Sequence, residues 1–268
     1  MQPDSTISRE GGRRIRGDVR AKPPLVSIVT VVFRDKDELE EILKNLSTFD
    51  PADFELIVID GGSKDGTVEL LQQWDHKVDY WLSEPDSGIY DAMNKGAKAA
   101  TGTYLLHLNA GDRLKHLPVQ DLSNAYMEEI EVASFRVSLD DGLEFRPSSG
   151  LLLRFQNTLH HQGTFYRRDT FPSYNTQFKA LADFDVNQRL AVRHARMKMF
   201  DHVVATHASG GMSHSPVADS EHLPIVLKNY DWIHVALAWL LSPKRGNAIG
   251  LISRLKRIAK MSRYDSQS

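Results

Sequence analysis

Apolar residues recur along the first half of the chain in two different periods. Four apolar runs have the length of strands: residues 26–33, 54–60, 78–83 and 104–108. The first of them is rich in β-branched residues and is long enough for a strand that is buried on both faces. Three segments between them place apolar residues at helical spacing: residues 37–46, 68–74 and 89–100. Strands that alternate with helices form parallel sheets with right-handed crossovers. The pattern therefore predicts an α/β fold with a mainly parallel sheet flanked by helices.

Acidic residues stand where these strands end. Asp60 closes the second strand, Asp86 and Asp91 follow the third, and Asp112 lies in the turn after the fourth. Open α/β sheets bind ligands beyond the carboxyl ends of their strands, so we expect these carboxylates to gather at one edge. Asp112 is a candidate ligand for a divalent cation. The alternative is a turn, residues 109–112, whose polar side chains only satisfy backbone groups.

Two common phosphate-binding patterns are missing from the loop after the first strand. It contains neither Gly-x-Gly-x-x-Gly nor Gly-Lys-Ser/Thr. Few positive side chains occur in the loops at this edge, so a bound diphosphate would need another positive charge. A divalent cation on Asp112 supplies that charge.

The second half of the chain is predicted to contain a helix and several further strands. The helix spans residues 121–129, and a hairpin follows at 132–145 with a turn at Asp140, Asp141 and Gly142. His160 and His161 fall in a segment that reads as a strand, where adjacent side chains point to opposite faces, so a shared metal is not expected.

Two further strand segments are expected near the end of this half, at residues 197–200 and 203–206. The next segment, residues 207–215, reads as a flexible loop. Its histidines are either additional metal ligands or solvent-exposed side chains.

Composition narrows the classes of function. The chain has 268 residues, of which 41% are hydrophobic, enough for one large domain or for one domain with an appendage. It has no cysteine, which excludes a disulfide framework and a thiolate metal site and fits the cytoplasm. The formal net charge is only −2, so we expect no nucleic-acid partner.

The two ends differ from the rest of the chain. Residues 1–24 are polar and partly basic without an apolar run, which predicts a mobile tail rather than a signal peptide. Residues 232–241 are strongly apolar but too short to span a membrane. Seven basic residues then follow with no acid among them: Lys244, Arg245, Arg254, Lys256, Arg257, Lys260 and Arg263. This extension either lies on an anionic membrane surface as an amphipathic helix or packs on the domain.

Four segments together resemble the family 2 glycosyltransferases with the Rossmann-like GT-A fold: residues 24–33 (PLVSIVTVVF), 58–67 (VIDGGSKDGT), 83–96 (SEPDSGIYDAMNKG) and 106–112 (LHLNAGD). The resemblance covers roughly residues 25–211 and is greatest to bacterial enzymes of capsule, exopolysaccharide or lipopolysaccharide synthesis. It implies inverting transfer of a sugar, usually from a UDP-sugar, with Mg²⁺ or Mn²⁺ as cofactor. The acceptor would be a hydroxyl of a glycan, which we expect to be lipid-linked.

The resemblance also implies a division of the chain. A nucleotide-binding half would span residues 25–115 and an acceptor-binding half residues 116–222. Residues 223–268 would form the C-terminal helical, basic extension. The expected location is the cytoplasm, at the inner face of the plasma membrane if the extension binds lipid.

By position, the resemblance implies roles for individual residues. Asp60 would receive the nucleotide base, and Asp112 would bind the cation on the diphosphate. The nucleotide would also be lined by Thr30, Val31, Phe33, Asp86, Asp91, Asn94, Lys95, Asn109 and Ala110. The usual Asp-x-Asp is reduced here to Asn109-Ala-Gly-Asp112, and Met93 replaces a frequent arginine, so Lys95 is the candidate for the positive charge near phosphate.

Residues 181–190 match the family position at which an acid opens a helix under the acceptor pocket, so the resemblance makes Asp183 the candidate base. Helical spacing to Val186 and Leu190 places Asp183 on the inward stripe. Asp185 lies on the other side, with Arg189 four residues on, and is expected to form a solvent-exposed ion pair. Two alternatives remain open: a nucleotide-sugar-binding protein without turnover and a nucleotidyltransferase.

Overall fold

The computed structural model describes residues 8–18, 20–207 and 215–241. Within these ranges the strands are β1 (Arg9–Gly11), β2 (Val26–Val32), β3 (Phe54–Asp60), β4 (Tyr80–Ser83), β5 (Tyr104–His107), β6 (Arg113–Leu114), β7 (Val132–Leu139), β8 (Glu144–Phe145), β9 (Thr164–Arg167) and β10 (Met197–His207). The helices are α1 (Lys36–Leu46), α2 (Thr67–Gln73), α3 (Ile89–Ala99), α4 (Val119–Met127), α5 (Ala182–Val192), α6 (Pro216–Asn229) and α7 (Trp232–Leu241).

The first half of the chain forms the parallel part of one sheet, in the order β4-β3-β2-β5. Every residue of β2 and β3 is buried, as expected for strands covered on both faces. Alternate residues of β2 join two separate apolar clusters: Ile28 packs in the cluster of α1, and Val29 packs in the cluster of α3. These helices therefore flank the sheet, and the α/β prediction is confirmed.

The second half continues the same sheet with mixed strand directions. β9 runs antiparallel to both β5 and β7, while β10 runs parallel to β7. The predicted hairpin is present, since β8 pairs antiparallel with β7. The two segments expected at residues 197–206 are one strand, β10, whose pairing with β7 shifts register between Met199 and Ala205.

The expected mobile tail is wrong for the part of residues 1–24 that the structure describes. β1 pairs antiparallel with β4 at one edge of the sheet. Arg14 forms an ion pair with the buried Glu55, and Arg20 lies 2.9 Å from Asp79. The arginines looked like solvated charges in the sequence because their acidic partners lie far along the chain.

The boundary expected at residues 222/223 is also wrong, because it falls inside α6. This helix buries Ile225 and Val226 in the same apolar cluster as α3 and α5. Glu221 accepts hydrogen bonds from the backbone N–H groups of residues 179–181, which lead into α5. α6 is therefore part of the main body of the domain.

α7 follows α6 directly, and the basic segment at residues 244–263 lies outside the described residues. Among residues 8–18, 20–207 and 215–241, no helix is both long and apolar enough to cross a membrane.

Glu55 connects three segments of the domain from within β3. Its carboxylate is 1% exposed and accepts hydrogen bonds from Ser27, Thr101 and the N–H of Gly102, besides pairing with Arg14. Burial by itself raises the pKa of Glu55, but the hydrogen bonds from Ser27 and Thr101 and the charge of Arg14 lower it below its ordinary value. Glu55 is therefore ionised in the folded protein.

We expect Glu55→Gln to lower the free energy of unfolding at pH 7 by about 3 kcal/mol, because it leaves Arg14 without its buried partner. The lowered pKa means that the carboxylate stabilises the fold above the unfolded-state pKa, and that this contribution is lost as the pH falls through the folded-state value. Urea denaturation should show the difference from wild type shrinking below about pH 4.5. Glu128→Gln, at an exposed ion pair, is the control. Equal stability of Glu55→Gln and wild type at pH 7 would contradict this role.

Candidate active site

Asp60 ends β3 at the edge where the parallel strands terminate, and it is fully buried. Its two oxygens accept hydrogen bonds from the N–H and hydroxyl of Ser63 and from the Ser83 hydroxyl at 2.6 Å. The carboxylate thus holds the turn after β3 against the end of β4. Its expected contact with a nucleotide base stays a prediction.

Phe33, Gly61 and Asp86 form a corner beside Asp60. A Cβ added at Gly61 would lie 2.7 Å from Asp86 Oδ2 and 3.1 Å from the Phe33 ring, so both side chains lie close to the main chain at Gly61. Phe33 is 56% exposed, which leaves an aromatic surface open at the sheet edge. Deeper in β2, Thr30 is buried, and its hydroxyl has no hydrogen-bond partner among the described residues.

The main chain of β2 also supports the turn that carries Asp112. Val31 is buried in β2, and its carbonyl accepts a hydrogen bond from Ala110 N–H at 3.3 Å. The turn after β5 is therefore tied to the neighbouring parallel strand.

The polar residues of α3 mostly bind other parts of the protein. Lys95 pairs with Glu84 at 2.8 Å, lies 3.8 Å from Asp91 and donates to the Pro85 carbonyl. Two carboxylates therefore already balance its charge, and its expected role near phosphate stays a prediction. Asn94 binds the backbone N–H and carbonyl of Tyr174 with its amide. Its side chain positions the segment before α5.

Asp112 is 2% exposed and lies where three elements meet. One oxygen accepts the N–H of Asn109 at 2.9 Å, which closes the turn after β5. Gln162 Nε2 lies 3.1 Å from the same oxygen, and His207 Nδ1 at the end of β10 lies 3.1 Å from the other. Asp112 therefore both stabilises its turn and faces an imidazole across the sheet edge.

His160 and His161 both lie near the turn that carries Asp112. The expectation that their side chains point to opposite faces of a strand is wrong. The rings of His160 and His207 are 4.8 Å apart, while His161 Nε2 lies 3.5 Å from the Asn109 amide. The chain makes a short 3-10 turn at His161–Gly163 before β9 begins, so strand alternation does not apply here. Burial, followed by the nearby His161 and His207, lowers the pKa of His160 to about 4.

Asp183 points inward from the first turn of α5, as predicted, and is 6% exposed. Tyr90 donates its hydroxyl to Oδ1 at 3.1 Å, Asn157 donates its amide to Oδ2 at 2.9 Å, and His161 Nδ1 lies 3.6 Å from Oδ2. Burial raises the pKa of Asp183, but the hydrogen bond and positive charge of His161 and the N–H of Phe184 outweigh it, so the pKa is lowered. The acid is therefore an ionised, nearly enclosed carboxylate.

The expectation that Asp185 is solvent-exposed is wrong. It does pair with Arg189, at 2.9 Å, but it is 0% exposed and also contacts Lys228 and Asn229 of α6. α6 covers the face of α5 that helical periodicity assigned to solvent. Nothing in the local pattern of α5 indicates this second helix.

A divalent cation has two donors at the sheet edge. Asp112 Oδ1 and His207 Nδ1 face one another at 3.1 Å. The carboxylate oxygen is the kind of ligand that Mg²⁺ and Mn²⁺ prefer, and the imidazole nitrogen suits softer metals better. In the described ranges no three His, Asp or Glu side chains form a complete metal site. Magnesium in particular keeps several waters and is bound through one or two carboxylates plus substrate phosphates. The residues present therefore fit a cation that is held mainly by its diphosphate ligand.

Comparison with known proteins identifies the family. The family model described as Glycosyl transferase family 2 matches residues 27–200. The chain belongs to this family. A PGL/p-HBAD biosynthesis glycosyltransferase of Mycobacterium tuberculosis is 31% identical over 213 residues, which span 75% of this chain and 83% of that protein. The predicted family is confirmed.

Two solved structures share the fold of this family 2 glycosyltransferase. S. aureus TarS 1–349 in complex with UDP-GlcNAc has a TM-score of 0.59 and 17% identity, covering 76% of this chain and 66% of that one. The mannosyltransferase PcManGT from Pyrobaculum calidifontis, in complex with GDP-Man and Mn²⁺, has a TM-score of 0.55 and 16% identity over 92% of this chain and 84% of that one. The GT-A fold is thereby confirmed.

Three residues of the candidate site had no role in the sequence prediction: Tyr90, Asn157 and Gln162. His207, one of the histidines expected either as metal ligands or as solvent-exposed side chains, ends β10 beside Asp112, and residues 208–214 of the expected loop lie outside the described residues. Gln162 stands beside the histidines in the sequence, but the pattern there did not indicate that its amide meets Asp112. Tyr90 and Asn157 lie far from Asp183 in sequence, so only the packing of α3 and the 150–160 region against α5 reveals their contact.

We expect Asp185→Asn to destabilise the fold by about 3 kcal/mol, because Arg189 and Lys228 would lose a buried partner. Urea denaturation measures this, and transfer activity at low temperature should fall only as far as the folded fraction falls. Asp169→Asn is the control, since that carboxylate is 57% exposed. A stable but inactive Asp185→Asn would instead give this residue a role in the chemistry.

Proposed function

We propose that this family 2 glycosyltransferase transfers a sugar from a UDP-sugar to a hydroxyl of a glycan acceptor, with inversion at the anomeric carbon. The observation that carries the proposal is that two consecutive residues each contact a different buried carboxylate. Gln162 contacts Asp112, and His161 contacts Asp183. A site for the diphosphate and a site for the acceptor hydroxyl are therefore adjacent.

The reaction has two needs, and each acid serves one of them. The departing diphosphate must be stabilised, and Asp112 with His207 would hold Mg²⁺ or Mn²⁺ for this. The cation would supply positive charge to the diphosphate oxygens. The acceptor hydroxyl must lose its proton as it attacks the anomeric carbon, and the group that would receive this proton is Asp183. Inversion follows from attack on the face opposite to the leaving group.

The nucleotide is proposed to bind at the ends of β2 and β3. The exposed ring of Phe33 offers a stacking surface, and Asp60, held by Ser63 and Ser83, lies next to it. The TarS and PcManGT structures, which contain UDP-GlcNAc and GDP-Man, support a nucleoside diphosphate sugar as donor. We propose uridine because the resemblance of the sequence motifs favours it.

The proposed pathway is the synthesis of a cell-surface polysaccharide or glycolipid. Two relatives support such a role by their names. The mycobacterial relative is a PGL/p-HBAD biosynthesis glycosyltransferase, and a Bacillus subtilis relative is named a putative teichuronic acid biosynthesis glycosyltransferase. A lipid-linked acceptor is part of this proposal.

Purified protein with Mn²⁺ should release UDP from one of a panel of UDP-sugars, and release should rise when glycan acceptors are added. Product analysis by NMR should show the inverted anomer. Tight UDP binding without any release would favour the binding-protein alternative. Release of pyrophosphate would favour a nucleotidyltransferase.

We expect Asp112→Asn to remove the Mn²⁺-dependent part of UDP affinity and to slow transfer by about 10²-fold or more, since the cation loses its carboxylate. Calorimetry of UDP with and without Mn²⁺ checks the binding. Asp201→Asn is the control, because that carboxylate is 80% exposed and outside the site. If wild type and Asp112→Asn bind UDP alike with and without Mn²⁺, the metal assignment is wrong.

We also propose that the enzyme binds the inner face of the plasma membrane through its C-terminal region. α7 exposes Trp232, Ile233, Leu237 and Leu240, each at least 41% accessible. The seven basic residues at 244–263 follow in sequence and would meet anionic headgroups. A membrane-bound enzyme would meet a lipid-linked acceptor where that acceptor resides.

The full-length protein should sediment with vesicles that contain anionic lipid, and high salt should weaken this binding. Changing Lys256, Arg257 and Lys260 to Gln should reduce partitioning by roughly 10²-fold, at about 1 kcal/mol for each charge. The same change at the exposed Lys44, Lys64 and Lys98 is the control. Absence of vesicle binding at low salt would mean that the extension is a packing element.

A further inference from the structure

The carboxylate of Asp183 is held by two hydrogen-bond donors of different kinds. Asn157 donates its amide to Oδ2 at 2.9 Å, and the hydroxyl of Tyr90 in α3 lies 3.1 Å from Oδ1. The same hydroxyl lies 3.0 Å from the main-chain carbonyl of Ala180. A hydroxyl has one proton to donate, so it serves one of these two acceptors at a time. Tyr90 is therefore a partner of Asp183 whose hydrogen bond can change direction.

The amide of Asn157 cannot change direction in this way. An ionised carboxylate only accepts hydrogen bonds, so the amide nitrogen of Asn157 faces Asp183 and its oxygen faces Asn187. The amide nitrogen of Asn187 donates to that oxygen at 2.9 Å, and the oxygen of Asn187 accepts the Tyr166 hydroxyl at 2.8 Å. Turning Asn157 over would set two NH₂ groups against each other in a buried region. Asn157 is therefore a fixed donor to Oδ2.

We infer that Tyr90 is a positioning residue for Asp183: its hydroxyl donates to Oδ1 while the acid is ionised and turns to the Ala180 carbonyl once the acid has taken a proton. This inference rests on the proposed function, in which Asp183 is the base. In the step, the acceptor oxygen bonds to the anomeric carbon, and its O–H proton passes to Oδ1. The bond between the anomeric carbon and the diphosphate breaks, and its electron pair leaves with UDP. The new O–H of Asp183 then donates to the Tyr90 oxygen.

This arrangement pairs Asp183 in both of its protonation states. The side chain of the acid is only 9% exposed, so an oxygen or a hydroxyl without a partner there would lose hydration and gain nothing in return. A phenol oxygen both donates and accepts, so Tyr90 matches the ionised acid and the neutral acid alike. Burial and the negative charge of Asp183 raise the pKa of Tyr90 well above its ordinary value. Tyr90 therefore follows the charge of Asp183 and keeps its own proton near neutral pH.

Other titratable groups also face Asp183. They are His160 and His161 in the turn before β9, Tyr166 in β9 and Tyr174 before α5. Burial lowers the pKa of His160 to about 4 and raises the pKa of Tyr166 and Tyr174, so these three side chains stay neutral near neutral pH. His161 lies 3.6 Å from the acid and is the same in every protein to be compared, so its effect on Asp183 is common to all of them.

Tyr174 offers a matched control for Tyr90. Both side chains are buried, and their ring centroids are 5.1 Å apart. The Tyr174 hydroxyl, however, lies 3.2 Å from Nδ1 of the buried His107. Tyr174→Phe therefore removes a neighbouring buried hydroxyl whose hydrogen-bond partner is His107 rather than Asp183.

The experiment compares the transfer rates of wild type, Tyr90→Phe and Tyr174→Phe as the pH is lowered. At the optimal pH, we expect Tyr90→Phe to lower kcat by roughly 10-fold with KM for the UDP-sugar little changed, because the carboxylate loses a charge-assisted hydrogen bond that orients it. The acid limb of kcat/KM should also move to higher pH. The lost bond to the ionised acid is stronger than the one to the neutral acid, so the pKa of Asp183 rises and the base is protonated sooner. Tyr174→Phe should keep the wild-type limb.

Two results would overturn the inference. The first is a wild-type acid limb in Tyr90→Phe, which would mean that the hydroxyl does not act on the charge of Asp183. The second is an equal shift in Tyr174→Phe, which would mean that loss of any buried hydroxyl in this cluster has the same effect.

A second measurement uses the full-length wild-type protein and does not depend on turnover. Carbon-13 NMR follows the carboxyl carbon of Asp183 and the oxygen-bearing ring carbon of Tyr90 as the pH is lowered. Both signals should titrate with one midpoint, and the change at Tyr90 should be absent from Asp183→Asn. A Tyr90 signal that stays constant while Asp183 titrates would contradict the inference. If no UDP-sugar is turned over but the two signals titrate together, the proposed function fails and the Tyr90–Asp183 pair stands.

Discussion

The antiparallel pairing of β9 with β5 is the constraint on which the site depends. Tyr104 faces Arg167 and Leu105 faces Tyr166, so β9 starts where β5 ends. The turn just before β9 is thereby brought beside the turn after β5. His161 and Gln162 reach Asn109 and Asp112 for this reason, although about fifty residues separate them in sequence.

The domain is also organised by buried carboxylates that all have partners. Glu55 binds the N-terminal segment, Asp185 binds α6, and Glu221 binds the backbone that leads into α5. An ionised acid loses its hydration when it is buried, so each must be matched by N–H groups or cations. These contacts position α5 and therefore Asp183. The two acids of the proposed site differ from these structural acids in their neighbours: Asp112 and Asp183 each face a histidine.

Periodicity predicted the elements of the first half well. The buried strands β2 and β3 and the amphipathic helices α1 and α3 occur within a residue or two of their predicted bounds, because their patterns are local. The second half was predicted less well. α6 contains Pro224 and buries residues on more than one side, so no amphipathic stripe marks it. The predicted strand around His160 is a turn, since two histidines and a glutamine carry no strong periodic signal.

The sequence alone determined the α/β class and the family, and it named the two acids of the proposed site, because strand and helix periods and the spacing of motifs are properties of short segments. The tertiary structure decided what surrounds each acid. Helical spacing placed Asp183 inward correctly but made Asp185 solvent-exposed, because it contains no information about α6. Likewise, the sequence offered His207 as a metal ligand without indicating its direct contact with Asp112, and it placed His161 near no particular acid. Burial and hydrogen-bond partners arise from strand pairing and helix packing between distant segments, and these set the charge and basicity of each side chain.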